Sequence, residues 1–330
     1  MMHFTASPDL YKKNKFWAIS AISLEFPVFV PIIYLSNSFG GHLLSDNQRH
    51  WGVDQWAAYL SARDIPCMPR SKVRLLELET ELGERLSAND LAELAGADPF
   101  LCLQLLRQAE GHRAQRLGHE TTTPLAAVMQ LGTTSFHALL QNSPETDEEN
   151  IGLAACEARS HLASRIALRW GMQRADISPD EVAMATLLAE IGELLLWNFA
   201  PELPLAALQA LKSGLAQRSV QAQVDTCGFR FKDLSLKCAT IWHLPPLLTQ
   251  LIRGIDNTRA NLSRNCADTA RHLISGGPND PALPSDLADA KHIIPSASLE
   301  WLAAQLPGLS EEDIERITLK AQDLIEPTHA

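Results

Sequence analysis

The signals that start helices recur along this chain and restrict its fold more than any other feature of the sequence. A residue that caps helices stands directly before a proline at three places, and apolar residues follow each pair at helical spacing. These places are Asp98-Pro99, Thr123-Pro124 and Ser178-Pro179. Ser310 and Asp313 form a similar start near the C-terminus. From about residue 53 onward, no run of alternating apolar and polar residues indicates a strand. The sequence therefore predicts an all-α protein.

The most apolar predicted helix follows Ser178-Pro179 and has the sequence VAMATLLAEIGELLLWNF (182–199). We expect one helix over this stretch, because Ser178 and Glu181 form a capping box and Pro179 stands in the first turn. No repeat with a fixed period of about 34 or 40 residues occurs, so a helical solenoid is the less favoured alternative. The pattern favours a multi-helix bundle.

An acidic turn at 145–150 (ETDEEN) divides the helical region into two predicted subdomains. Residues 53–144 form the N-terminal half and residues 151–276 the second half, and the two halves could share one core. A loop rich in glycine and proline then begins a predicted C-terminal helical extension, 277–330.

Residues 1–52 form a leader whose apolar stretch, 16–35, follows a basic cluster and imitates a membrane anchor. Glu25 opposes that interpretation, because a carboxylate at mid-membrane costs about 2.5–3.5 kcal/mol on insertion scales. Two prolines in the same stretch also obstruct a membrane helix. We therefore favour a mis-set start, with Val53 as a possible true start, or a disordered leader. A membrane anchor remains the alternative.

The distribution of charge restricts the partners of the helical region. The chain carries a formal net charge of -11, and the leader is slightly basic, so the acidity lies in the helical region. An acidic surface repels phosphate backbones, so we expect no nucleic-acid partner. Six cysteines are scattered without a C-x-x-C pair, which indicates reduced structural thiols and a cytoplasmic location.

Sequence motifs of the common catalytic sites are absent from the chain. It contains no Walker loop, no G-x-S-x-G elbow and no dinucleotide-binding G-x-G-x-x-G after a strand. His119-Glu120 begins an H-E-x-x-H zinc motif, but Thr123 stands where the second histidine is needed. These motifs therefore single out no catalytic group and predict no cofactor, although their absence alone does not decide against an enzyme.

Five segments in order resemble the HDOD family, the HD-related output domain of bacterial signalling proteins. They are DIPCMPRSKVRLLEL (64–78), ANDLAELAGADPFLCLQLLRQAEG (88–111), TTTPLAAVMQLG (121–132), TLLAEIGELLLW (186–197) and LSLKCATIWHLPPLLTQLI (234–252). Together they span about residues 60–275. The resemblance implies an HD-like helical bundle and a role in signal transduction or regulation.

The related HD superfamily hydrolyses phosphoesters with a metal held by a histidine, an adjacent His-Asp pair and a later aspartate. No His-Asp dipeptide occurs in this chain, and Ala189 and Glu190 stand at the matching place. His161 and Asp268 fall roughly where the other two ligands would be. The resemblance therefore implies a degenerate site without a metal, although one histidine and two carboxylates leave a residual metal-dependent phosphohydrolase as an alternative.

A small basic island breaks the acidity of the helical region. It consists of Arg107, His112, Arg113, Arg116 and His119. It is either a solvated turn or a patch for a partner or an anionic ligand, and it is our candidate binding surface. Together these features predict a non-catalytic regulatory module that acts on an unknown signalling protein in trans, with a membrane-anchored scaffold as a further alternative.

Overall fold

Helices make up nearly all the regular structure in this computed structural model, which describes residues 44–113, 120–255 and 257–325; the side chains of His112 and Arg113 are not described. Within these ranges the one β feature is an isolated bridge between Cys67 and Glu145. The predicted all-α class is confirmed.

Six α-helices form the part of the chain before the acidic turn. They are α1 (Val53–Ser61), α2 (Pro69–Leu82), α3 (Ala88–Gly96), α4 (Pro99–Arg113), α5 (Pro124–Leu131) and α6 (Thr133–Asn142). A long helix, α7 (Ile151–Gly171), follows the turn and packs against two of the helices that come later in the chain.

The remaining helices follow in short connections. They are α8 (Pro179–Leu188), α9 (Ile191–Phe199), α10 (Glu202–Lys212), α11 (Ser219–Cys227), α12 (Phe231–Ile241), α13 (Pro246–Arg253), α14 (Thr258–Gly276), α15 (Leu283–Ile293), α16 (Leu299–Ala304) and α17 (Glu311–Ile325). Short 3₁₀ turns lie at Gln48–His50, Gly83–Arg85 and Gly277–Asn279.

The predicted cap at Asp98 also joins two helices. One carboxylate oxygen of Asp98 accepts hydrogen bonds from the backbone N–H groups of Phe100 (2.9 Å) and Leu101 (3.1 Å) at the start of α4. The other oxygen accepts from the backbone N–H of Met68 (2.8 Å) and the hydroxyl of Ser71 (2.7 Å) at the start of α2. Because Asp98 is fully buried, these four bonds replace the water that its carboxylate lost.

The prediction of one helix over 182–199 is wrong. The helix is interrupted at Ala189 and Glu190, which form a break between α8 and α9. The hydroxyl of Ser235 on α12 supports this break, because it donates to the carbonyl of Ala189 (3.1 Å) and accepts from the N–H of Gly192 (3.0 Å). A Cβ at Gly192 would lie 2.6 Å from the carbonyl oxygen of Phe231. The close approach of α12 therefore fixes the break, and glycine makes that approach possible.

Two groups of buried apolar residues form the interior. The larger group joins the two predicted halves of the helical region, for example through Trp56 and Leu140 on one side and Leu153 and Leu234 on the other. The predicted boundaries of these halves, 53–144 and 151–276, stay predictions.

The second group packs the end of α7 and the start of α8 against α14 to α17. Trp170 lies in this group, and its indole N–H donates to the carbonyl of Leu302 (3.1 Å). The helices of the C-terminal extension are thus held to the preceding bundle by a shared apolar interior.

All six cysteines are buried and free. One helical stretch of the described residues, Pro179–Phe199, is long and apolar enough to cross a membrane, but 72% of its apolar window is buried inside the protein. That stretch belongs to the core described above. The leader, 1–52, lies almost entirely outside the described residues, so the choice between its alternatives stays open.

Candidate functional site

The break between α8 and α9 places Glu190 at the centre of a cluster of charged residues. Its carboxylate accepts a hydrogen bond from Nε of Arg159 on α7 at 2.6 Å. Its other oxygen lies 3.3 Å from Nη2 of Arg271 on α14. Glu190, which the family resemblance matches to the aspartate of the His-Asp pair, thus joins three parts of the bundle.

Arg159 lies between two carboxylates and a thiol. Beside its bond to Glu190, its Nη2 lies 3.1 Å from the carboxylate of Glu193 and 3.3 Å from Sγ of Cys156. The side chains of Arg159, Glu190 and Glu193 are all largely buried, with 18–19% of each exposed. One guanidinium therefore pairs with two carboxylates, one at the break and one in the first turn of α9.

Arg271 extends the cluster to the predicted fourth ligand position. Its Nη1 pairs with the carboxylate of Asp268, one turn earlier on α14, at 2.7 Å. Asp268 therefore reaches Glu190 only through an arginine. We name the charged residues Arg159, Glu190, Glu193, Asp268 and Arg271 the ion cluster.

The arginines control the protonation of this cluster. Burial by itself would raise the pKa of Glu190, but Arg159 and Arg271 outweigh burial and lower it. Burial by itself would lower the pKa of Arg159. Glu190 and Glu193 outweigh burial and raise this pKa well above its ordinary value. The carboxylate and guanidinium are therefore both charged at neutral pH.

The cluster does not fit the divalent metal that the HD superfamily implies. Ligand atoms of Cys156, Glu190 and Glu193 do lie within 4.8 Å of one another. However, both carboxylates already bind Arg159, and a metal between them would stand beside a guanidinium cation. Burial also raises the pKa of Cys156 well above its ordinary value, which keeps the thiol protonated and a poor ligand.

Ala189 and His161 add nothing to such a site. Ala189 offers a methyl group and contributes only its carbonyl, which Ser235 binds. His161 does not join the group of clustered ligand atoms; the charged groups that act on it are Arg165 and Arg70. Burial, and then these two arginines, lower its pKa to about 4, so the imidazole is neutral at neutral pH. Its Nδ1 is buried without a hydrogen-bond partner among the described residues.

The basic island is described only at Arg107. Its guanidinium lies over the ring of Trp242, with Cζ 4.9 Å from the ring centroid. The side chains of His112 and Arg113, and the whole of Arg116 and His119, lie outside the described residues. The prediction that these residues form one patch therefore stays a prediction.

Comparison with known proteins identifies the family. The family model of the HDOD domain matches residues 65–258, more than half of the chain. The protein therefore belongs to the HDOD family, as the order of its segments predicts. Among functionally curated proteins, none matches the sequence.

Solved structures share the fold. A MmoQ response regulator from Methylococcus capsulatus str. Bath is 21% identical, with a TM-score of 0.57 over 78% of this chain and 99% of that one. A virulence factor from Campylobacter jejuni subsp. jejuni is 15% identical, with a TM-score of 0.62 over 80% of this chain and 98% of that one. At such low identities the likeness establishes the HD-like helical fold and nothing more specific.

Proposed function

We propose that this protein is a non-catalytic, cytoplasmic HDOD module that regulates a signalling protein in trans. The observation that carries the proposal is the position of Arg159, whose guanidinium binds the carboxylate at the degenerate HD position. A cation of the protein itself thus stands where the catalytic members of the superfamily would need a metal and its activated water. The family membership supports the regulatory role.

Charge explains why this arrangement opposes hydrolysis. The three carboxylates of the ion cluster are matched by two guanidinium groups, so little negative charge remains to attract a divalent cation. A phosphoester that approached the cluster would meet groups already bound to each other. The cluster therefore acts as a structural tie between α7, the break and α14.

Metal content and hydrolysis of the full chain test the non-catalytic assignment. We expect purified protein, incubated with Mn²⁺ and then desalted, to contain far less than one metal per chain, and to hydrolyse a generic phosphodiester no faster than a buffer control. The variant A189H/E190D restores the His-Asp pair but keeps Arg159, and we expect it to remain free of stoichiometric metal.

Two results would contradict the proposal. One is a stoichiometric metal in the unaltered protein. The other is phosphodiester hydrolysis that E190Q abolishes and that the surface variant D233N leaves unchanged. Either result would favour the residual phosphohydrolase, because Asp233 pairs with Arg230 on an exposed turn outside the ion cluster.

A further inference from the structure

Arg107 is a partly buried cation that pairs with no carboxylate among the described residues. It lies on α4, and its guanidinium contacts the ring of Trp242 at the end of α12. Within the described residues it makes no ion pair and donates no hydrogen bond. Burial lowers its pKa, and among the described residues the thiol of Cys238 acts in the opposite direction. Arginine nevertheless stays protonated at neutral pH.

The contrast with the ion cluster shows why this is unusual. Arg159 is more deeply buried than Arg107 and has two carboxylate partners. Arg107 has lost part of its hydration and has only the face of an indole in return. A desolvated charge without a partner is unfavourable in the free protein, so an acceptor that arrives from outside would bind with a gain.

Trp242 positions this guanidinium and lacks an acceptor itself. The residue is 6% exposed, and its Nε1 has no hydrogen-bond partner among the described residues. Trp242 lies where α12 ends, and the N–H of Leu244 closes this end by bonding back to the carbonyl of Ala239 (2.9 Å). His243, between Trp242 and Leu244 in the chain, has a left-handed backbone conformation with φ of 52°. The indole of Trp242 and the guanidinium above its ring therefore both lack a hydrogen-bond acceptor among the described residues.

The chemistry of these donors points to a single carboxylate. The planar fork of a guanidinium matches a carboxylate in two parallel hydrogen bonds. The arginine already covers a face of the indole, which leaves that face closed to a stacking base. The net charge of -11 repels ligands with many negative charges, such as nucleic acids or nucleoside triphosphates. Ile241, next to Trp242 in the chain, is 44% exposed and suits a ligand with apolar groups beside its acid.

We propose that Arg107, positioned by Trp242, binds a single carboxylate that a partner protein carries on an acidic side chain. The inference rests on the proposed regulatory function, since it assigns the chemistry by which the partner is recognised. It does not depend on the absence of hydrolysis.

A titration followed through the indole N–H signals of the ¹⁵N-labelled full chain tests the proposal. The W242F variant assigns the Trp242 signal. The probes are the peptide acetyl-Leu-Glu-Leu-amide, the same peptide with glutamine, propionate and inorganic phosphate. We expect the glutamate peptide to shift the Trp242 signal saturably, the glutamine peptide to leave it in place, and propionate and phosphate to bind at least several-fold more weakly.

Variants separate the receptor from general surface effects. R107M should weaken the binding of the glutamate peptide more than about tenfold, because it removes charged hydrogen bonds. R107K keeps the charge without the fork and should lose several-fold. R63M is the matched control. Arg63 also lies over an aromatic ring, with its Cζ 4.2 Å from the ring centroid of Tyr59, but it is exposed. R63M should bind the glutamate peptide with the affinity of the unaltered protein.

Specific outcomes would overturn the proposal. They are equal shifts with the glutamate and glutamine peptides, unchanged affinity in a folded R107M or R107K, or tighter binding of phosphate than of the peptide. Equal affinities for propionate and the peptide would mean that the site takes a free small carboxylate rather than a partner. None of these results would indicate metal binding at the ion cluster. The titration can therefore contradict the carboxylate site without contradicting the proposed function, and the hydrolysis test can do the reverse.

Discussion

Removing the charges of Arg159 and Glu190, singly and together, should show that the ion cluster holds the bundle together. The perturbations are R159M and E190Q, with the double variant to complete a thermodynamic cycle. R159M removes the one cation that two largely buried carboxylates share. Breaking a buried pair in this way costs about 3–5 kcal/mol, because Glu193 loses the guanidinium that it pairs with and Glu190 keeps only its pair with the more exposed Arg271.

E190Q should cost less, at about 2 kcal/mol. A hydrogen bond to a charged group contributes roughly 1.5–3 kcal/mol, and the bond from Arg159 at 2.6 Å is such a bond. The contact with Arg271 adds little, because that side chain is 41% exposed and its pair belongs with surface pairs of about 0–1 kcal/mol. Both arginines also keep a second carboxylate, Glu193 or Asp268, when Glu190 is neutral.

The cycle is measured by urea unfolding followed by circular dichroism. We expect the double variant to lose less free energy of unfolding than the two single variants lose together. The difference should be at least about 1 kcal/mol, since the two groups interact directly. The exposed pair of Arg230 and Asp233 provides the control cycle, with R230M and D233N and a coupling below about 0.5 kcal/mol. Additive effects in the buried cycle would refute the reasoning.

The pH dependence gives the same test a second readout. The pKa of Glu190 is lower in the folded chain than its ordinary value. Its charge therefore contributes stability that is present above the unfolded pKa of about 4.3. That contribution is lost as the pH falls through the folded pKa. The stability difference between the unaltered protein and E190Q should be constant near neutrality and should shrink only under acidic conditions.

Two further predictions concern the surroundings of the ion cluster. G192A should destabilise the protein by about 1–3 kcal/mol in the same unfolding assay, because its Cβ would lie 2.6 Å from a backbone oxygen of α12, whereas G96A, with no heavy atom within 4 Å of the added Cβ, should be nearly neutral; equal effects would contradict the close approach. His161, with its pKa of about 4, should show no NMR titration between pH 5 and 8. Because the unfolded histidine binds a proton near pH 6.5 and the folded one does not, stability should fall as the pH drops from about 6.5 to about 4, and H161Q should lessen that slope; an ordinary titration near pH 6.5 would show that the imidazole is not buried as described.

The helix starts could be predicted from the sequence because their causes are local. Thr123 and Ser178 accept hydrogen bonds from backbone N–H groups three residues later, and a proline follows each of them. Such contacts lie within one turn of the chain, so the residue types and their spacing contain the information. The order of the family segments is likewise readable from the sequence.

The break at Ala189 and Glu190 could not be predicted in the same way. The hydroxyl that supports it belongs to Ser235, more than 40 residues later, and local propensity favours a continuous helix. The only local signal is Gly192, which by itself does not distinguish a close helix contact from a tolerated glycine.

The charge partners of the candidate site cannot be predicted from the sequence for a related reason. The family resemblance points to Glu190 and Asp268, whereas Arg159 and Arg271 match no ligand position. Their distances from Glu190 along the chain, 31 and 81 residues, give no sign that they converge on it. A sequence shows which ligands a site has lost, but the groups that replaced them become visible only in three dimensions.

The two arginines with unusual surroundings, Arg159 and Arg107, explain how this fold can serve regulation. Arg159 pairs with two carboxylates inside the protein, so under the proposed function the position that the family resemblance matches to the metal ligands contributes stability. Arg107 pairs with no carboxylate among the described residues and lies over a buried indole, so under the further inference it offers interaction energy to an acceptor from outside. The two proposals together put the energy of partner binding at the contact between α4 and the end of α12, and not at the position of the ion cluster.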